Sequence, residues 1–287
     1  MKSPETPLFC GTALAERIES AEAALIAAAT EAARRRGTDP SPFVTPVCGG
    51  MACFAEDGSP FNKVVGVGFG GVPDRAALDE IEQAFAARGS ATQVELTHLA
   101  DPEIGVALTA RRYALVSFEN VLGRALDGKQ ERVSPPGVEV RPSGVDEFEA
   151  WLDVVVEGFA HPDTQGMPSD EEFPRDTLDR ATRDMAAAGV TRYVALHDGA
   201  IAGAASVRMA DGVAQLTGAA TAPARRRHGV QTALLSARLA DAAAAGCDIA
   251  VVTTAPGSKS QENAQRRGFH LLYTRAILVK DSPGPTR

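Results

Sequence analysis

Three consecutive arginines, a histidine and a glycine (Arg225 to Gly229) stand between segments of different periodicity. Before them, the apolar, alternating run Val213 to Thr221 (VAQLTGAAT) reads as a strand. After them, an alanine- and leucine-rich run ending at Gly246 reads as a helix. A strand, a cationic glycine-containing turn and a helix N-terminus together make an anion cradle. The first N–H groups of a helix have no intrahelical partner, and the helix dipole places partial positive charge there. Gly229 allows close backbone approach to a ligand. A phosphate or pyrophosphate is the expected guest.

Two other glycine patterns compete for a phosphate. Gly66, Gly68 and Gly71 satisfy G-x-G-x-x-G, the dinucleotide fingerprint. That fingerprint needs the glycine turn to open a helix directly, and Pro73 and Asp74 intervene. Glu95 and Asp101 are poorly placed for the ribose carboxylate. NAD is therefore not expected to bind. Gly257-Ser258-Lys259-Ser260 ends like a P-loop but lacks its upstream glycine, which argues against ATP. Cys10, Cys48, Cys53 and Cys247 have no zinc spacing and read as reduced thiols of a cytoplasmic protein, with no metal.

The chain of 287 residues can hold two ordinary domains, and 44% hydrophobic residues suffice for packed cores. A formal charge of −8 argues against non-specific binding to nucleic acid or to an anionic membrane surface. No apolar run is long enough to span a bilayer, and the N-terminus has no signal-peptide pattern.

The elements that must position the cradle follow from periodicity and punctuation. Ala13 to Arg36 reads as a helix closed by three arginines and Gly37. Pro40, Pro42 and Pro46 read as a turn. Strands are expected at Gly50 to Ala55, Lys63 to Gly68, Thr92 to Leu99 and Tyr113 to Val121, with helices starting at Asp74 and Asp101. Asp127 to Gly137 reads as a linker. Beyond it, a strand at Val138 to Arg141 and helices at Val145 to Glu157 and Arg175 to Ala188 precede three strands. These are Tyr193 to His197, Ile201 to Met209 and Val213 to Thr221, joined by the hairpin pairs Asp198-Gly199 and Asp211-Gly212. The cradle, its helix, a strand at Asp248 to Thr254, a short helix and a strand at Phe269 to Val279 complete the pattern. Both halves end as strand, helix, strand, short helix, strand, which reads as a distant tandem duplication. The expected domains are residues 1–132 and 133–287.

The second unit, about Val138 to Lys280, resembles the GNAT superfamily of acyl-CoA N-acyltransferases. Arg226 and Gly229 match the family's Arg/Gln-x-x-Gly-x-Gly/Ala signature, and Gln231 departs from its last position. Pro223 and the Gly-Phe pair Gly268-Phe269 also suit the family. The resemblance implies an α/β (α+β) fold of two GNAT-like units, each a mixed, mostly antiparallel twisted sheet flanked by helices. The first copy is degenerate, because its turn Gly68 to Leu78 has no cradle and carries an aspartate.

What the resemblance implies for function is acetyl transfer from acetyl-CoA to an amine of a small molecule or peptide. In this reading Ala219, Ala220 and Thr221 pair with the pantetheine arm. The backbone of Arg227, His228, Gly229, Val230, Gln231 and Thr232, with Arg226, holds the pyrophosphate. Asn263 lies near the thiol end, or else caps its short helix. The family's frequent tyrosine acid is replaced by Ala264, which leaves Tyr273 as the candidate proton donor. An alkylamine arrives protonated, so a base is needed. Glu157 and His161, beside the loop that continues to Glu172, are the candidates. His98, His197 and His270 read as structural. A homodimer is compatible with this reading. The alternatives are a non-catalytic acyl-CoA sensor and, behind it, a dinucleotide-binding protein.

Overall fold

Alanine-rich sequence with its small residues on one face makes the first helix, α1 (Thr12–Arg36), long and able to lie close on a sheet. Gly37 ends it in the left-handed region at φ 81°, donating to the carbonyls of Ala33 and Arg34. The computed structural model describes residues 8–126, 128, 130–161 and 173–282. After α1 come β1 (Phe43–Val47), β2 (Gly50–Phe54), β3 (Lys63–Val65), α2 (Arg75–Ala86), β4 (Thr92–Thr97), α3 (Pro102–Ala110) and β5 (Ala114–Ala125). Beyond the linker lie β6 (Val138–Pro142), α4 (Phe148–Ala160), α5 (Arg175–Ala186), β7 (Thr191–His197), β8 (Ala200–Ala210) and β9 (Val213–Thr221). Then follow α6 (Val230–Ala244), β10 (Ile249–Thr254), α7 (Lys259–Gln265) and β11 (His270–Lys280).

Both Asp-Gly pairs form two-residue hairpins with positive φ at each position, as a primed turn requires. Two segments depart from expectation. Phe43–Val47 is a strand despite Pro46. It is the edge strand of the sheet, where Pro46 is exposed and its missing N–H breaks no ladder. β5 runs on to Ala125, because its second half is paired on both sides.

All strands belong to one mixed, mostly antiparallel sheet, in the order β1-β2-β3-β4-β11-β5-β10-β9-β8-β7-β6. The centre of that order carries the organisation of the chain. β11 lies between β4 and β5, and β5 lies between β11 and β10. Each half has lent its last strand to the other. The register is two-fold in pattern. Thr92–Thr97 pair antiparallel with Lys280–Arg275, and Ile249–Thr254 pair antiparallel with Ala125–Asn120. β5 and β11 run antiparallel along the join. The half-sheets are therefore continuous, with no gap between the two halves of the chain.

Helices cover both faces. α6 and α7 bury Val230, Leu234 and Ala264 against Leu122, Ala250 and Phe269. On the other face, α1 packs Ile18 against Val121, Val251 and Tyr273. α1 also reaches α5, where Arg36 pairs with Asp184 at 2.7 Å. One helix of the first half thus contacts both halves of the sheet.

Candidate active site

A bulge opens the sheet. In the β8–β9 ladder, Ala204 pairs with Ala220 and Ser206 with Thr217, so Gly218 and Ala219 face the single residue Ala205. Gly218 has φ 36°. Such a bulge turns its strand away from its neighbour. β9 pairs with β10 only over Val213–Gln215, and beyond that the two parallel strands diverge. A cavity of about 560 Å³ occupies the divergence. β9 lines it with Leu216, Thr217, Gly218 and Ala219, and β10 with Val252 and Thr253. Gln231 and Thr232 of α6, and Asn263, Arg266 and Arg267 at α7, close one side, while Phe159 of α4 reaches it from the opposite face.

The cradle turn adjoins this cavity. A 3-10 turn, Pro223–Arg225, follows β9, Arg227 and Gly229 take left-handed φ of 68° and 79°, and α6 begins at Val230. The first intrahelical bond runs from Ala233 N–H to Gly229 O, 3.0 Å. The amides of Val230, Gln231 and Thr232 precede it and point out of the helix start. Val230 supplies backbone alone, since its side chain is buried beside Gly203. A side chain at Gly229 would lie 2.7 Å from Pro135 of the linker. The glycine is therefore demanded by its backbone angle and by Pro135, and not solely by approach to a ligand.

The surroundings are cationic. Arg238 lines the cavity from within α6 and donates to Leu234 O (3.2 Å), Ser206 O (3.0 Å) and Thr217 O (3.4 Å). Burial draws its pKa down to about 10, which leaves it charged at neutral pH. Arg267 donates to Thr232 Oγ1 at 2.6 Å. Among the described residues, the cavity lining contains arginines and no carboxylate.

Ala219, Gln231, Thr232 and Asn263 line the cavity, whereas Ala220 and Thr221 at the end of β9 and Arg226 to Val230 in the turn are not among its lining residues. Asn263 does not cap its helix, because Ser258 does, accepting from Gln261 N–H at 3.2 Å. Asn263 instead donates to Gln231 Oε1 at 3.0 Å, so the glutamine that departs from the family signature bridges α6 and α7. Arg226 donates to His161 O at 3.0 Å, tying the end of α4 to the cradle. His228 packs on His197, with ring centres 4.6 Å apart.

The proton-transfer candidates are not brought to the cavity. Tyr273 is fully buried on the α1 face and donates to Glu19 Oε1 at 2.6 Å. Burial and the Glu19 carboxylate both raise its pKa, so it holds its proton and has no path to a leaving thiolate. This corrects the assignment of Tyr273 as acid. Tyr273→Phe is expected to leave thiol release from acetyl-CoA unchanged and to cost about 1–3 kcal/mol in urea unfolding, from a buried charged acceptor losing one donor. Glu157 is paired with Arg175 (2.9 Å) and His161 (3.1 Å), and the Arg175 hydrogen bond lowers its pKa. It is thereby a poor base, and neither it nor His161 lines the cavity. The loop expected to shape the acceptor pocket, 162–172, lies outside the described residues. Leu216 to Gly218, Thr253, Arg238 and Phe159 were not legible as lining. A glycine inside a strand, Gly218, was the available signal of a bulge.

Among the described residues of the first half, the pocket lined by Val47, Val64 and Ile104 measures only about 10 Å³. The loop Gly66 to Gly71 folds backbone onto backbone, with Gly70 N–H on Cys48 O at 3.2 Å and Asp101 N–H on Gly68 O at 3.2 Å. A side chain at Gly68 would meet Ala100 at 2.5 Å. Asp74 caps α2 by accepting from Ala77 N–H at 2.8 Å. The G-x-G-x-x-G glycines serve this packing.

Comparison with known proteins agrees with this geometry. Residues 155–269 match the family model described as acetyltransferase (GNAT) family. No curated protein matches the sequence. The fold is similar to that of a GCN5-related N-acetyltransferase from Kribbella flavida (TM-score 0.60, 22% identity, 90% of this chain and 96% of that one). It is also similar to a tandem GNAT protein from the clavulanic acid biosynthesis pathway (TM-score 0.59, 14% identity, 98% and 99%). A GCN5-related N-acetyltransferase from Sphaerobacter thermophilus shares it over 74% of this chain and 68% of its own (TM-score 0.53, 17% identity). Residues 155–269 thus carry a match to the GNAT acetyltransferase family, and the fold along the chain is similar to that of solved GNAT proteins.

Proposed function

We propose that the protein transfers an acetyl group from acetyl-CoA directly to the amine of a small molecule or peptide, and that acetyl-CoA binds once per chain. The observation that carries the reading is the cationic cavity between diverging strands, continuous with the free amides at the start of α6. A pyrophosphate suits those amides and the arginines. A pantetheine arm suits the unpaired edge of β9 from Leu216 to Thr221, where an extended chain adds as a strand. An unpaired N–H on that edge is suited to the charge that grows on the thioester oxygen. We read residues 1–132 and 133–287 as two copies of one unit. The filled loop of the first copy supports a single binding site.

Titration calorimetry with acetyl-CoA is expected to give one site per chain, and two sites or none would sink the proposal. Arg226→Ala is expected to weaken binding by roughly 1–3 kcal/mol through loss of a charge-assisted phosphate contact. Gly229→Val is a poorer probe, since it also collides with Pro135. A second reading, a non-catalytic acyl-CoA sensor, is favoured by one observation: apart from arginine, the cavity lining offers no ionisable side chain among the described residues. Thiol release from acetyl-CoA in the presence of an amine panel separates the two.

Among the described residues, no helix is long and apolar enough to cross a membrane.

A further inference from the structure

Between the halves, on the α1 face of the sheet, lies a group of charges. Arg275 of β11 holds Glu19 of α1 at 2.8 Å, Glu95 of β4 at 3.6 Å and Glu119 of β5 at 3.8 Å. Lys63 of β3 pairs with Glu95, Tyr273 donates to Glu19, and Glu22 of α1 accepts from Gln215 of β9 at 3.0 Å. Glu19, Glu95, Arg275 and Tyr273 are at most 2% exposed, whereas Glu119 is 34% exposed. It is also the member that Arg275 holds least closely.

The β5–β10 register tells where Glu119 opens. Thr253 pairs with Val121 and Thr254 with Asn120. Val121 and Val251 pack on α1, so Thr253 and Glu119, two residues along from Val251 and Val121, lie on the α1 face too. Glu119 is thus the diagonal neighbour of Thr253, roughly 7–8 Å away between backbones, a gap that the glutamate side chain and one water together span. Thr253 is an exposed wall of the cavity. Among the described residues, no carboxylate, histidine, cysteine, tyrosine or lysine lines that cavity.

We propose that Glu119, carried into the second half on the exchanged strand β5, is the proton acceptor for the nucleophile at this site, acting through one water beside Thr253. Its carboxylate takes a proton from the acceptor's ammonium, leaving a neutral amine. The amine nitrogen then bonds to the acyl carbon and the carbon–sulfur bond breaks. The second nitrogen proton goes to the leaving thiolate, and Glu119 returns the first to solvent. With water in place of the amine, Glu119 takes a proton from the attacking water, and acetate and thiol form. Burial and four charged neighbours set its affinity for a proton. Burial raises it, Glu95 and Glu22 raise it further, and Lys63 and Arg275 oppose them, leaving a pKa of about 7. Glu19 and Tyr273 face the same cluster but are engaged with each other and with Arg275. A base is most effective with its pKa near the working pH. A strand of the first half would then complete the site of the second.

The inference rests on the acyl-CoA reading, and the test separates the two. Acetyl-CoA binding is measured by calorimetry, and thiol release from acetyl-CoA, with water as nucleophile, is followed from well below to well above pH 7. Failure of the wild-type protein to bind acetyl-CoA overturns the acyl-CoA reading and this one with it. Where it binds, the rate is expected to exceed the buffer rate and to rise to a plateau with a midpoint of about 7. Glu119→Gln is expected to keep the acetyl-CoA affinity, to lose the midpoint and to run about 10²-fold slower. A wild-type rate equal to buffer, or a glutamine variant with the wild-type rate or midpoint, overturns the assignment. Should that variant not fold, Glu119→Asp carries the test. Its shortened carboxylate is expected to keep a midpoint and lose about tenfold in rate, because displacement of a catalytic group by an ångström or so is costly. An unchanged rate there overturns the assignment as well.

Discussion

Arg275→Met is expected to cost about 3–5 kcal/mol of stability at neutral pH. The arginine is buried among Glu19, Glu95 and Glu119, and its replacement leaves those carboxylates with Lys63 as the remaining cation of the cluster. An apolar side chain of similar volume does not repair this, because the loss lies in the unpaired charges. The pH dependence fixes the cause. Burial raises the pKa of Glu95, but Lys63 and Arg275 together more than reverse that and hold it low. A depressed carboxyl contributes stability above its unfolded pKa and loses it as pH falls through the folded one. Without Arg275 the Glu95 carboxyl takes up its proton at higher pH. The variant's deficit is therefore expected to be largest above neutrality and to narrow as the solution is acidified. Urea midpoints measured at several pH values check this, and a deficit independent of pH would sink it.

A chain of residues 133–287 alone is expected to show no cooperative melt and no binding of acetyl-CoA. Such a fragment contains the cradle, the cavity walls and the family match, yet it lacks β5. Without β5, the edge of β10 from Ile249 to Thr254 and the inner edge of β11 are both bare. Leu122 and Leu126 leave the core under α6, and Val121 leaves the core under α1. Bare apolar strand edges aggregate. Co-expression with residues 1–132 is expected to restore a single melt and binding. A fragment that folds and binds alone would show that the exchanged strand is dispensable.

Much of this architecture can be read from residues, and the boundary between its halves cannot. The cradle is local: three arginines, a glycine and the two flanking periodicities stand within about twenty residues, so the sequence places them without long-range knowledge. The Asp-Gly hairpins are local for the same reason. Strand exchange is different. Tyr113 to Val121 reads as a strand in any context, and nothing in its composition says that its neighbours are β10 and β11. Tyr273 failed for a related cause. Its nearness in sequence to the Gly-Phe turn suggested the cavity, but alternate residues of a strand face opposite sides, and its partner Glu19 lies at the far end of the chain. Arg238 and Thr253 were invisible because an alanine-rich helix and a β-branched strand look the same with or without a cavity between them.

The exchange of β5 and β11 also has a consequence in time. β4 is made early, but its partner on one side is β11, which follows every other element described. The first half cannot close its sheet until the second has been synthesised, and the second cannot close without a strand made before its own first residue. Sequence-distant pairings of this kind pay loop-closure entropy before any contact rewards it, and they fold slowly. Maturation of the two halves is therefore one event. Until it happens, the edges of β4 and β10 wait side by side for strands that arrive together, and the anion cradle, though complete in sequence, has no sheet to stand on.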